Sequence, residues 1–127
     1  MLPLLLLCIG ASLGAIARWQ LSLWLNTGGP LPWGTLAANL VGGYLIGLLV
    51  AVFQAMPEID PVWRLALITG FLGALTTFST FSIETVTLLQ TGRAAQALAL
   101  AAAHLLGSLA MTWLGLRMGA WWMASRL

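Results

Sequence analysis

The chain has 127 residues, of which 61% are apolar and 6% charged, five basic against three acidic, with a mean hydropathy of +0.99. A soluble domain carries about 25% charge, so this composition excludes a soluble globular protein, a disordered chain and a nucleic-acid binder needing a clustered basic surface. What remains is a small integral membrane protein, and at about 20 residues per helical span its length holds four spans and no second domain.

The first apolar stretch runs from about residue 2 to 25, interrupted by Arg18 and Gln20. No positive charge precedes it, which argues against a cleavable signal peptide. Cys8, the single cysteine, lies in a leucine run and reads as a packing or lipid-facing residue. Asn26, Thr27, Gly28, Gly29 and Pro30 form a turn signal. The second stretch, about 31–55, has no charge, and Pro57, Glu58, Asp60 and Pro61 mark the loop after it. The third, about 62–89, closes at Gln90, Thr91, Gly92 and Arg93, and the fourth covers about 94–123. Trp24, Trp33, Trp63, Trp121 and Trp122 near these ends suit the aromatic belt of a bilayer protein. Backbone groups in lipid need partners within the chain, so the spans are predicted to be helices.

Four spans put both termini on one side of the membrane. Arg64, Arg117 and Arg126 then fall on that side, and Arg18 and Arg93 on the other. So even a split gives little positive-inside preference. It fits either a weak ordinary bias or insertion in both orientations, with pairing as an antiparallel dimer. Gly10/Gly14, Gly43/Gly47 and Gly115/Gly119 are small residues four apart, a spacing that lets helices approach closely. They point to an oligomer, as does the small interior that four short helices enclose.

Polar groups inside a span are costly and default to function. Thr35 and Asn39 share one face of the second helix; His104, Ser108 and Thr112 share one face of the fourth; Phe78, Phe81 and Glu84 step by three in the third. For a single hydroxyl the plain reading is a bond back to the carbonyl four residues earlier. For the aligned set a water- or ion-accessible track is expected. Arg18 reads as an interfacial residue whose stem snorkels. Residues 70–82, with two glycines and a run of hydroxylated residues, make a poor continuous helix. A break there frees carbonyls suited to a hard cation, while hydroxyls, the Asn39 amide and the positive edges of Phe78 and Phe81 suit an anion. A carboxylate such as Glu84 in an anion path repels the ion unless it is protonated, turned aside or hydrogen-bonded.

The run GFLGALTTFSTFS at 70–82 closely resembles the signature of the Fluc (CrcB) fluoride channels. Gly14 to Arg18 resembles that family's GxxxR, and Gly34 to Asn39 its GTLxxN. Ala74 stands where many members have a second glycine. The resemblance covers all four spans. It implies an all-α membrane protein with a break in the third helix, assembled as an antiparallel dual-topology homodimer with two pores. It implies a structural Na⁺ at the dimer centre on the main-chain carbonyls of Gly73 and Thr76, and a passive path for fluoride that relieves its toxicity. It places the fluoride path at Asn39, Phe78, Phe81, Thr80, Glu84, Ser108 and Thr112, with His104 near a vestibule; Thr35, on the face of Asn39, is assigned to the path from its spacing. Gly14 and Arg18 take structural parts, and the location is the bacterial inner membrane. The alternative is a proton-coupled exporter resembling the small multidrug resistance family. That family depends on a glutamate in its first helix, where this chain has no acidic residue. An enzyme is not expected, because one His, one Cys and one intramembrane Glu on different helices supply no triad or metal site.

Overall fold

The computed structural model describes residues 1–29 and 31–126 and is all-helical among them. Helix α1 covers Leu2–Leu25 and α2 covers Trp33–Ala55. The third span is in two pieces. Its first piece, α3, starts at Pro61–Arg64, widens to a π-helix over Leu65–Leu72 and ends with Gly73–Leu75. Its second piece, α4, is Phe78–Gln90, and α5 is Ala94–Ala124. Four segments are therefore long and apolar enough to cross a bilayer: Leu2–Leu25, Trp33–Ala55, Pro61–Gln90 and Ala94–Ala124. The protein is a multi-pass membrane protein, and the large apolar side chains exposed along all four, such as Leu5, Ile83, Leu98 and Leu106, face lipid rather than water.

Local chemistry accounts for the ends. Asp60 accepts from the backbone N–H of Val62 at 2.9 Å ahead of Pro61, a cap followed by a residue with no N–H to satisfy. Asn26, in the first loop, accepts from the Gly34 N–H at 2.8 Å and so caps α2 from eight residues away. Pro30 of the expected turn lies outside the described residues. After α4 the N–H of Arg93 reaches the Leu88 carbonyl at 2.8 Å and that of Gly92 the Leu89 carbonyl at 3.1 Å. This closure needs a left-handed residue, and Gly92 supplies it with φ of +74°.

Glycines set the packing, and they do so within one chain. A methyl on Gly10 would meet the backbone of Ala66 and Phe71, and one on Gly14 the backbone of Phe71 and Leu75. These contacts bring α1 against the π-helical stretch, where Gly70 in turn lies against Leu7 and Ala11. Gly47 abuts Thr112 and Leu116, Gly115 abuts Tyr44 and Leu48, and Gly119 abuts Leu48 and Ala51, so α2 and α5 touch along most of their length. The glycine pairs expected to mark an oligomeric surface are thus already covered by the chain's own helices, and that ground for an oligomer falls away. The reason is geometric: backbone-to-backbone approach buries them where no second chain can reach. Ala38, Leu72 and Leu75, packed with Ala17, Leu21 and Ile46, form the core where α2 crosses α3.

Candidate functional site

The site lies where the third span stops being a helix. Thr76 (φ −81°, ψ 153°) and Thr77 (φ −152°, ψ 121°) are extended between α3 and α4. In an uninterrupted helix the Thr77 N–H would donate to the Gly73 carbonyl, and the Thr80 N–H to that of Thr76. Here the Thr77 N–H donates to Asn39 Oδ1 at 2.7 Å, and the Thr80 N–H to Thr77 Oγ1 at 3.2 Å. Gly73 and Thr76 thereby lose their helical partners, and their carbonyl oxygens are freed as hard donors. The Thr77 hydroxyl caps α4 and itself donates to Thr80 Oγ1 at 3.0 Å.

Asn39 does most of the bracing. Its Nδ2 donates to the Thr77 carbonyl at 3.0 Å and lies 3.0 Å from His104 Nδ1. Because the Thr77 N–H can only donate, Oδ1 is the acceptor and the amide orientation is determined. The second Nδ2 hydrogen then goes to His104, whose Nδ1 accepts, so the neutral imidazole carries its proton on Nε2. Both amide hydrogens of Asn39 are engaged inside the chain. Asn39 nevertheless lines the cavity beside the break, together with His104. His104 is 4% exposed, and its Nε2 is buried without a partner.

A cavity of about 420 Å³ opens beside the break, lined among others by Asn39, Gly73, Thr76, Phe78, Phe81, His104 and Ser108. Phe78 and Phe81 pack edge to face, with centroids 5.3 Å apart at 60°. Phe81 also lies 4.6 Å from the His104 ring at 37°. No charged side chain is among the lining residues. Phe78 is 79% exposed, its ring projecting from the chain.

Of the aligned set on α5, His104 and Ser108 reach this cavity, whereas the Thr112 hydroxyl donates back to the Ser108 carbonyl at 2.9 Å. Thr112 thus follows the plain reading of a single hydroxyl, as do Ser82, Thr85, Thr87 and Thr91. Thr35 and Glu84 form a second pair, one helical turn from Asn39. The buried Thr35 hydroxyl donates to Glu84 Oε1 at 2.6 Å, while Oε2 is buried without a partner. Glu84 is therefore hydrogen-bonded, one of the three conditions for a carboxylate near an anion path. It borders a second cavity of about 480 Å³, which includes Asn26, Thr87, Thr91 and Arg93. Gly14 belongs to the α1 packing, and Arg18 is half-buried on the same helix. Sequence reasoning missed Thr77, the residue Asn39 grips, and Gly42. The signal for Gly42 was its place on the Thr35–Asn39 face, three residues on.

The chain is similar to known proteins over nearly its whole length. A family model described as CrcB-like protein, Camphor Resistance (CrcB), matches residues 5–116. A curated relative in Variovorax paradoxus (strain S110), named Fluoride-specific ion channel FluC, is 64% identical over 117 residues, covering 92% of this chain and 94% of its own. One in Albidiferax ferrireducens, of the same name, is 64% identical over 117 residues, with 92% and 90% covered. Another in Paracidovorax citrulli, again of that name, is 56% identical over 124 residues, with 98% of each chain covered.

Proposed function

This chain belongs to the CrcB-like protein family, and from that premise we propose that it is a fluoride-selective channel which lets F⁻ leave the cell passively and so relieves fluoride toxicity. The observation that carries this reading is the uncharged cavity beside the break, lined by Asn39, Phe78, Phe81, His104 and Ser108, with the Phe78 and Phe81 rings packed edge to face. A small, strongly hydrated anion needs donors to replace its water. Neutral polar side chains and the positive edges of phenyl rings supply them without the grip of an arginine or lysine. Weak binding at several such points allows exit as well as entry. Ser108 lies on the same wall, and Thr80 and Glu84 on α4 with Thr35 on α2 carry polar groups onward from it, while the Thr112 hydroxyl is bonded back to the Ser108 carbonyl.

The working unit in this reading is an antiparallel homodimer with two pores. Support comes from the three-to-two arginine split and from Phe78, whose exposed ring and adjacent open cavity leave one wall for a second copy to provide. The freed carbonyls of Gly73 and Thr76 fit a hard cation, and a Cβ on Gly73 would meet only the Ile68 carbonyl at 3.7 Å, so its surroundings are open. Na⁺ held there by both copies would tie the breaks of the two third spans together as a structural ion.

Purified protein in liposomes loaded with fluoride or chloride tests the reading. Rapid F⁻ efflux is expected once a cation shunt is supplied, with negligible Cl⁻ efflux. Equal rates for the two anions, or no F⁻ efflux, would sink it.

A further inference from the structure

We infer that Gly42 is a positioning residue for the pore: it is the seat that receives the Thr76 methyl and so sets where the third span breaks. The inference rests on the channel reading and extends it to a residue that lines the cavity beside the break but offers no side-chain group to an anion.

Three residues on one face of α2 touch three successive points of the third span. Thr35 holds Glu84, Asn39 holds Thr77, and Gly42 faces Thr76. The first two contacts are hydrogen bonds, and the third is steric. A Cβ built on Gly42 would collide with Thr76 Cγ2 and come within 3.9 Å of Leu75 Cδ2. The Thr76 methyl is held in that direction by a hydrogen bond. Its hydroxyl donates to the Leu72 carbonyl at 2.8 Å, which fixes the rotamer of a β-branched side chain and aims Cγ2 at α2. Any group added at Gly42 therefore pushes on the Thr76 backbone, or else breaks the bond to Leu72. In the first case the Thr76 carbonyl and the neighbouring Thr77, gripped by Asn39, move; in the second the last turn before the break loses a side-chain tie.

The choice of glycine is informative because a helix interior disfavours it relative to alanine. At Gly42 local propensity alone predicts that alanine strengthens α2. The seat predicts the opposite, and it predicts a specific remedy. Thr76→Ser deletes Cγ2 while keeping the hydroxyl that bonds Leu72.

The experiment compares Gly42→Ala, Gly42→Ala with Thr76→Ser, and Gly107→Ala, each measured for F⁻ efflux from liposomes and for melting temperature in detergent. Gly107 is the control, since a methyl there meets only the end of the Leu40 side chain, at 2.7 Å, which can swing aside. Gly42→Ala is expected to slow efflux at least about tenfold, the scale on which a displacement of about an ångström disables a preorganised site, and to lower the melting temperature. The double variant is expected to recover most of both losses, and Gly107→Ala to match wild type. A Gly42→Ala protein too unstable to purify, beside a double variant that folds and conducts, supports the seat equally. Efflux and melting of Gly42→Ala equal to wild type overturn it, as does a double variant that is no better than Gly42→Ala. Should wild type itself pass no fluoride, the channel reading falls, and the melting temperatures still decide the seat.

Discussion

Asn39 binds Thr77 through both of the latter's backbone groups, accepting its N–H at 2.7 Å and donating to its carbonyl at 3.0 Å. One side-chain amide thus supplies what a helix would have supplied to a residue that has left the helix. In the apolar interior of a membrane protein those two groups have no water to turn to, so the brace and the break need each other. The same amide's remaining hydrogen goes to His104, which links the break to α5.

Replacing Asn39 with Leu, of similar size, strips partners from the Thr77 N–H, the Thr77 carbonyl and His104 Nδ1 at once. Each buried orphan costs about 1–3 kcal/mol, less whatever Thr77 regains by returning its N–H to Gly73. The net expectation is a loss of about 2–5 kcal/mol in denaturant unfolding, together with loss of F⁻ efflux. Stability within about 0.5 kcal/mol of wild type, the range of an ordinary surface change, would show that Asn39 is not the brace.

Thr35→Val keeps the shape of the side chain and removes the donor to Glu84 Oε1. Both oxygens of a carboxyl whose Oε2 already lacks a partner are then unsatisfied. A destabilisation of about 1–3 kcal/mol is expected. In a double-mutant cycle with Glu84→Leu the coupling should reach about 0.5–3 kcal/mol, as for residues in direct contact. Additive losses would mean that the hydrogen bond carries no weight.

Phe78→Ile and Phe81→Ile should both cut F⁻ efflux sharply, because isoleucine has no ring edge. Their stabilities should differ. Phe81 pairs with both Phe78 and His104, whereas Phe78 pairs with Phe81 alone. At about 0.5–1.5 kcal/mol per aromatic pair, Phe81→Ile should cost roughly twice what Phe78→Ile does in the same unfolding assay. Undiminished flux in both variants would remove the ring-edge mechanism.

Gly47→Ala places a methyl against the backbone of Thr112 and Leu116. Overpacking of this kind costs about 1–3 kcal/mol. The loss should appear in the unfolding of the chain, while the proportion of associated chains among folded protein, followed by size-exclusion chromatography at several detergent ratios, stays at the wild-type value. A selective loss of association would return the glycine pairs to an intermolecular surface.

How much of this was legible in the sequence depends on how local each cause is. Hydropathy places four spans within a few residues of their observed ends, since burying an apolar side chain in lipid requires no knowledge of its neighbours. The glycines and hydroxyls of 70–82 announce a weak helix, and the spacing of Thr35 with Asn39 and of His104 with Ser108 announces shared faces. Spacing is silent, however, on which face meets which. Gly10, Gly14, Gly43, Gly47, Gly115 and Gly119 look alike whether they join two helices of one chain or two chains. Only the tertiary packing shows that they join α1 to α3 and α2 to α5.

The same distinction governs the site. Composition and periodicity by themselves determined a small four-span membrane protein with a few neutral polar stripes, because those follow from transfer energies and helical geometry. The tertiary structure decided which hydrogens are already engaged. Asn39 has two N–H groups to offer in any sequence reading, and both turn out to be committed, to Thr77 and to His104. That His104 Nδ1 is paired while its Nε2 is left buried without a partner is a property of the contact between two helices that no single helix encodes.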